Sequence, residues 1–443
     1  MAADGAGRLD ALSCRLEGSV LRSLTESCPQ LHLFEREIAE QLGIPLSGHP
    51  SPKPVRFAPP LHDRNGRPDA PPVGVMPFDR VGGGHTHEVA VGPVHAGVIE
   101  PGHFRFQCHG EEVLRLEISL GYQHRGVERR LLGGPDTATI HLVETLAGDT
   151  TIGHATAYCQ AVEALGACQP PPRAHALRAI ALELERIANH VGDLGALAGD
   201  VGFLPTASYC GRIRGDFLNM TALLCGSRFG RGFVRPGGVA FDVGADLVRE
   251  LDERLEAGLR DAGGAVRLLW ESPSVMARFE GTGQLSRRLC DEVGLVGPAA
   301  RACGAERDLR LDFPWGIYRF GQIPVSTGHG GDVLARAYVR WLEVERSVQF
   351  LRSQLAALPA GPIRRECPPP RADGFAVSLI EGWRGEICHV VLTDERGRFR
   401  RYKVVDPSFH NWFGLACALE NEQISDFPLC NKSFNLSYCG FDL

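Results

Sequence analysis

Five short stretches place side chains capable of chemistry inside otherwise apolar sequence. Gly92-Pro-Val-His95 runs on to Glu100-Pro-Gly-His103, so two histidines and a carboxylate share a loop shaped by proline and glycine. Gly121-Tyr-Gln-His-Arg-Gly-Val-Glu128 gathers both signs of charge in one run. Glu144 precedes His154 and Tyr158, and the last two are four apart, which is one face of a helix. A phenol and an imidazole on one face either donate two hydrogen bonds into a cavity or satisfy each other in a core. Glu185-Arg186 and His190 repeat that spacing, as part of a site or as the polar flank of a packed helix. In Glu381-Gly-Trp-Arg384-Gly-Glu-Ile-Cys-His389 the arginine either reaches a site or decorates an ordinary turn. Carboxylates, imidazoles and phenols in such settings move protons and stabilise developing negative charge.

Other chemistries are absent from the sequence. There is no GxxxxGK[ST] phosphate loop, HExxH, GxSxG or calcium-binding loop. The chain is 443 residues with 14 cysteines, none in a CxxC pair, so it carries no iron–sulfur motif, and its cysteines read as small buried hydrophobes in a reducing compartment. The 47 basic and 53 acidic residues give a net charge of -6, which offers no broad cationic footprint for nucleic acid. The first residues lack the basic-then-apolar pattern of a secretion signal, and no stretch is apolar enough to span a membrane. A cytoplasmic protein is expected, attached to a membrane only through partners.

The elements that would position these residues follow from periodicity. A helix around Phe34–Leu42, closed by Gly43, precedes a Pro/Gly-rich linker at 58–87. Phe104–Cys108 and Val113–Ile118 alternate with period two across His109-Gly110, which predicts a hairpin. One helix is expected over 137–165, broken or strained at Gly148 and Gly153. The prolines at 170–172 start another, where Leu177, Ile180, Leu184, Ile187, Val191 and Leu194 recur at spacings of 3, 4, 3, 4 and 3, the pattern of a packed bundle seam. Further helices are expected at about 208–226, 243–263 and 330–357. The last carries Leu334, Tyr338, Trp341, Val348 and Leu355 on one face, with Glu345 interrupting it and needing a partner. Strands return at 375–380, 387–392 and 399–405. The plan is α+β: a central bundle of long helices flanked by N- and C-terminal β elements that close on each other.

Taken in order, these runs resemble the large subunit of formate-hydrogenlyase-type (group 4) [NiFe] hydrogenases and, equally, the 49-kDa quinone-site subunit of complex I. Residues 121–128 are similar to the family's GYxHRGxE segment, 172–190 to its PPRA…ExxRIxxH helix, and 381–389 to its EaPRGxLxH turn, with Gly382 and Trp383 in place of Ala-Pro. Phe34 to Ile44 with Gly48-His49-Pro50 resembles the end of the 30-kDa complex I subunit. The resemblance therefore implies a 30-kDa-like remnant at 1–57, too short to hold a core alone, and the main domain at 88–443.

In nickel-containing members two CxxC pairs hold the metal. The corresponding positions here are Ala147 and Thr150, then Ser408 and Asn411, and stray Cys159, Cys417 and Cys430 lack the spacing to substitute. The resemblance then implies a nickel-free pocket that receives a quinone, with Tyr158 and either His95 or His103 as hydrogen-bond donors. His154, Glu144 and Arg384 would surround it. It further implies an iron–sulfur small subunit as electron donor, antiporter-like integral membrane subunits, an NAD(P)H- or formate-linked complex, and a place on the inner face of the cell membrane. NAD binding belongs to the family's complexes, and this sequence shows no nucleotide motif. The alternative is a non-catalytic structural or assembly subunit of a hydrogenase-like complex.

Overall fold

The computed structural model describes residues 2–3, 8–12, 19–61, 71–96 and 99–443. Near the N-terminus, α1 (His32–Leu42) ends where Gly43 turns left-handed at φ 64° and frees the chain to reverse. Three antiparallel strands follow, β1 (Thr86–Val91), β2 (His103–His109) and β3 (Glu112–Ser119), in the order β1-β2-β3. The β2–β3 hairpin matches the alternation in the sequence. Strand β1 begins inside the expected linker.

The long helices are α2 (Thr151–Leu165), α3 (Pro172–Asp200), α4 (Leu204–Cys225), α5 (Ala245–Trp270) and α6 (Val333–Ala356). Pro172 occupies the first turn of α3, where its missing N–H costs nothing. All six seam residues of α3 are buried, and the helix packs on both α4 and α6. Asp332 caps α6 by accepting from the Ala335 N–H at 2.8 Å.

A second antiparallel sheet, β4 (Phe375–Gly382), β5 (Gly385–Thr393) and β6 (Phe399–Val405), lies against α2. Gly382 pairs with Gly385, so Trp383-Arg384 is a two-residue hairpin tip. The close fit has a local cause: a Cβ on Gly153 of α2 would lie 2.8 Å from the Ile387 Cδ1 of β5. The tail is helical, with α7 (Pro407–Ala418), α8 (Phe427–Phe434) and α9 (Tyr438–Asp442).

The structure refines the expectations in four places. The break in the helix over 137–165 falls at residues 144–150, around Gly148, between a short helix at Thr139–Val143 and α2, and Gly153 lies inside α2. The buried carboxylate of α6 is Glu343, whereas Glu345 is half-buried and Tyr338 is exposed, because the face turned to α3 runs through Val339, Glu343 and Ser347. The two β portions do not close into one sheet but form two separate three-stranded sheets. The helical tail and the short helices between Pro273 and Asp312 were not read from the sequence.

Candidate functional site

The hairpin tip Trp383-Arg384 is where helices, loops and tail converge. The Arg384 guanidinium clamps the Asp149 carboxylate in a bidentate pair, Nη1 to Oδ1 at 2.6 Å and Nη2 to Oδ2 at 2.7 Å. Its Nε donates to the Asn435 carbonyl at 2.5 Å, and the guanidinium stacks 3.9 Å from the Trp383 ring centre. Trp383 is itself buried and donates its indole N–H to the Asp149 carbonyl and the Thr150 hydroxyl, both at 3.1 Å.

A buried ionic network holds the tip from below. Arg186 of α3 donates to the carbonyls of Glu381 at 2.7 Å and Gly382 at 3.0 Å, the two residues before the tip. The same guanidinium meets Glu183 and Glu343, while Arg301 bridges Glu343 and Glu381. Burial works to raise Glu343, yet Arg301, His190 and Arg186 outweigh it and hold the carboxyl well below its usual range. Burial lowers His190 to about 4, so it is neutral when it meets Glu343 at 2.9 Å. Arg186 and His190 are fully buried, which places them in the core and not on a polar flank.

Behind the clamp runs a second chain of hydrogen bonds. Tyr402 meets His389 at 2.8 Å, His389 meets His154 at 3.1 Å, and His154 meets Asp406 at 3.0 Å. Burial and the neighbouring His154 hold His389 well below the usual imidazole value. Burial alone would raise Asp406, but the His154 bond, the His154 charge and Arg384 prevail and lower it.

In front of the clamp lies a cavity of about 490 Å³. Its walls include Gly148 and Asp149, Ile99 and Glu100 of the His95–His103 loop, Arg214 and Arg231, and tail residues from Asn431 to Cys439. The Asp149 side chain is 31 % exposed to this space although protein surrounds it closely. Tyr438 is buried in the wall, and its hydroxyl has no hydrogen-bond partner among the described residues. Asn431 and Glu100 are the polar groups that face it, and burial pushes its pKa up to about 12.

Of the residues singled out from sequence, Arg384 and Glu100 line the cavity. His95 turns its Nε2 onto the Gly102 carbonyl at 2.9 Å and His103 its Nδ1 toward the Gly92 carbonyl at 3.4 Å, so both brace the loop whose middle reaches the cavity. Glu144 is occupied elsewhere, accepting from the Gly232 N–H and Arg235, each at 2.8 Å. Tyr158 does not line this cavity; its ring packs edge-on to Phe399 and beside Tyr402. Nor does it pair with His154, whose two ring nitrogens are taken by His389 and Asp406. Sequence reasoning passed over Asp149, Tyr438, Arg214, Arg231 and Lys432. Asp149, a lone acid between two apolar stretches, carried a usable signal; the rest carried none.

The four positions of the expected metal ligands are all buried beside the tip. Thr150 accepts from Trp383 and Arg384, Ser408 accepts from the Ser437 N–H at 2.9 Å, and Asn411 exchanges two bonds with the Val296 backbone. Neutral oxygens and a methyl group do not suit a soft nickel–iron centre. Among the described residues no group of three or more His, Cys, Asp or Glu is disposed to hold a metal. Another crevice, of about 540 Å³, separates the N-terminal segment from β3 and α7, but Lys53, Arg115, Asp79 and Glu117 in its wall are already paired with one another.

Comparison with known proteins agrees with this architecture. Residues 200–373 match the family of the respiratory-chain NADH dehydrogenase 49 Kd subunit. Over 354 residues the chain is 33 % identical to the carbon monoxide-induced hydrogenase of Rhodospirillum rubrum, covering 79 % of this chain and 97 % of that protein. This chain belongs to that family. The 49-kDa-type subunit is also 30 % identical over 363 residues to formate hydrogenlyase subunit 5 of Escherichia coli, covering 82 % of this chain and 64 % of that one. Its fold matches a chain of the membrane-bound sulfane sulfur reductase, an archaeal respiratory membrane complex, with a TM-score of 0.76 at 24 % identity over 81 % of this chain and 99 % of the other. The α+β architecture and the place among oxidoreductase subunits are thus shared with both the hydrogenase and the NADH dehydrogenase branches. No helix among the described residues is long and apolar enough to cross a membrane.

Proposed function

We propose that this 49-kDa-type subunit contributes a nickel-free electron-acceptor pocket to a membrane-associated oxidoreductase complex, and that the pocket is the cavity in front of Asp149–Arg384. The supporting observation is that cavity's position: Gly148 and Asp149, which lie between Ala147 and Thr150, line it, as do Arg384 and Ser437, which bond Thr150 and Ser408, and fixed polar groups complete its wall. A quinone fits the size and the lining, with the unpartnered Tyr438 hydroxyl as a donor in the wall. Two-electron reduction would put charge on the acceptor oxygens, which Arg384 and nearby donors stabilise electrostatically. An iron–sulfur cluster in a small partner subunit supplies the electrons, and integral membrane partners hold the complex on the inner face of the cell membrane. Residues 1–57 act as a docked 30-kDa-like remnant, tethered through the linker at 58–87.

The buried Trp383–Thr150 contact favours a second reading, a structural subunit whose former metal position is packed solid. One substitution separates the two. Gly148 borders the cavity, and a Cβ there meets nothing within 4 Å. Gly148→Leu in the assembled complex should fill the cavity, leave assembly intact and reduce turnover with an added quinone at least tenfold. Normal turnover with the leucine in place would favour the structural role.

A further inference from the structure

The charge around the cavity is lopsided. Arg214, Arg231, Arg384 and Lys432 line it against Glu100 and Asp149, four positive groups to two negative. Arg384 and Asp149 neutralise each other in their clamp. That leaves Arg214, Arg231 and Lys432 facing a single carboxylate, and among the described residues none of the three is in an ion pair. Asp200 feels the Lys432 charge from beyond ion-pair distance, which still leaves the rim net positive. The other cations near the tip are committed: Arg186, Arg301 and Arg340 each meet buried carboxylates.

The rim is joined to an unmet donor. Tyr438 is 5 % exposed, and its buried hydroxyl, which Asn431 faces, makes no hydrogen bond of good geometry among the described residues, so it remains available as a donor. The apolar wall is supplied by Ile99, Phe229 and Leu436. A ligand matched to all three features has an acceptor oxygen, a flat or apolar body and a negative charge.

We propose that the cavity is selective for anionic acceptors, with Arg214, Arg231 and Lys432 holding the ligand's charge and Tyr438 donating to its acceptor oxygen. This rests on the acceptor-pocket reading above and narrows it to a substrate class. Low-dielectric walls strengthen such attraction and raise the local concentration of anions.

The test uses the assembled complex and two probes of similar shape, 1,4-naphthoquinone and its 2-sulfonate. Equilibrium binding at low ionic strength should favour the sulfonate by about tenfold, and this preference should shrink as salt rises. The Arg231→Gln/Lys432→Gln double variant should lose the preference by weakening the sulfonate about tenfold more than it weakens the neutral quinone. Tyr438→Phe should weaken both probes alike, severalfold. Equal, salt-independent binding of the two probes overturns the anion selectivity and leaves the acceptor pocket standing. Sulfonate preference that survives the double variant places the anion elsewhere and also overturns it. Failure of both probes to bind removes the acceptor pocket and this inference together.

Discussion

Asp149 and Arg384 lie 235 residues apart in sequence and bind each other through two parallel hydrogen bonds of 2.6 and 2.7 Å. One sits on the loop that breaks the expected long helix, the other on the tip of a β hairpin. Both line the cavity, and Arg384 also donates to Thr150, one of the residues that replace the metal ligands.

Removing one partner of this clamp leaves a charge in a poorly solvated place. Asp149→Asn should destabilise the chain by about 2–3 kcal/mol, less than a fully buried pair because the carboxylate is partly open to the cavity. Arg384→Lys should also lose stability, since an ammonium cannot reproduce the fork or stack on Trp383. Denaturant titration of both variants checks the ordering, with a loss under about 0.5 kcal/mol arguing against a tight clamp.

Tyr158→Phe and Tyr438→Phe should behave differently. The Tyr158 hydroxyl makes no hydrogen bond with the described residues and does not line the cavity, so its loss should leave quinone turnover unchanged and cost less than about 1 kcal/mol. Turnover that falls in Tyr158→Phe at constant folded fraction would restore that residue to the site.

Glu185 gives a pH dependence with a definite sign. Burial raises its pKa to about 8, against the backbone N–H bonds from Ile152 and Gly153 that pull it down. The folded state therefore keeps a proton that the unfolded chain releases near 4.5, and its stabilising effect is lost as pH climbs from about 4.5 to 8. Melting temperatures of wild type and Glu185→Gln should diverge across that interval in favour of the glutamine variant and run parallel above it. Parallel curves throughout would show an ordinary surface-like carboxyl.

Elemental analysis offers a separate check. Complex produced in a host with working nickel-insertion machinery should contain far less than one nickel per chain, because Ala147, Thr150, Ser408 and Asn411 provide no thiolate. Stoichiometric nickel would require ligands from outside these positions.

The N-terminal segment is docked through Arg56, which is buried against Phe409 and Phe441, pairs with Glu37 and donates to the Phe441 carbonyl at 2.7 Å. Limited proteolysis should cut between about residues 58 and 84 and spare 88–443. Arg56→Ala should speed that cut several-fold, and an unchanged rate would mean that other contacts carry the docking.

The sequence made regular elements legible because their signals are local. Six apolar positions of α3 repeat at helical spacing, and all six are buried. Alternation marked the strands, and Gly382 and Gly385 bracket the hairpin tip. The polar core was opaque for the opposite reason. Arg186 and His190 look like a solvated flank until Glu343, more than 150 residues away, is brought against them. Tyr158 had the right chemistry and helical spacing, but spacing does not tell which side of a helix meets Phe399 and which meets a cavity. Tyr438 stands in a five-residue helix of the tail, with no periodicity to mark it.

The ionic network beneath the tip bears on how the chain unfolds. Arg186, Arg301 and Arg310 find Glu183, Glu343, Glu381 and Asp308 only when α3, α6, β4 and the segment between Arg301 and Arg310 have all come together. Until then each of these charges prefers water, and afterwards none can leave alone without stranding its partner in the interior. The bundle and the hairpin are thereby coupled into one cooperative unit, with little room for a half-open state in which the sheet swings free. Hydrogen exchange should show the amides of β4 and of the middle of α3 opening together, at the slowest rate in the molecule.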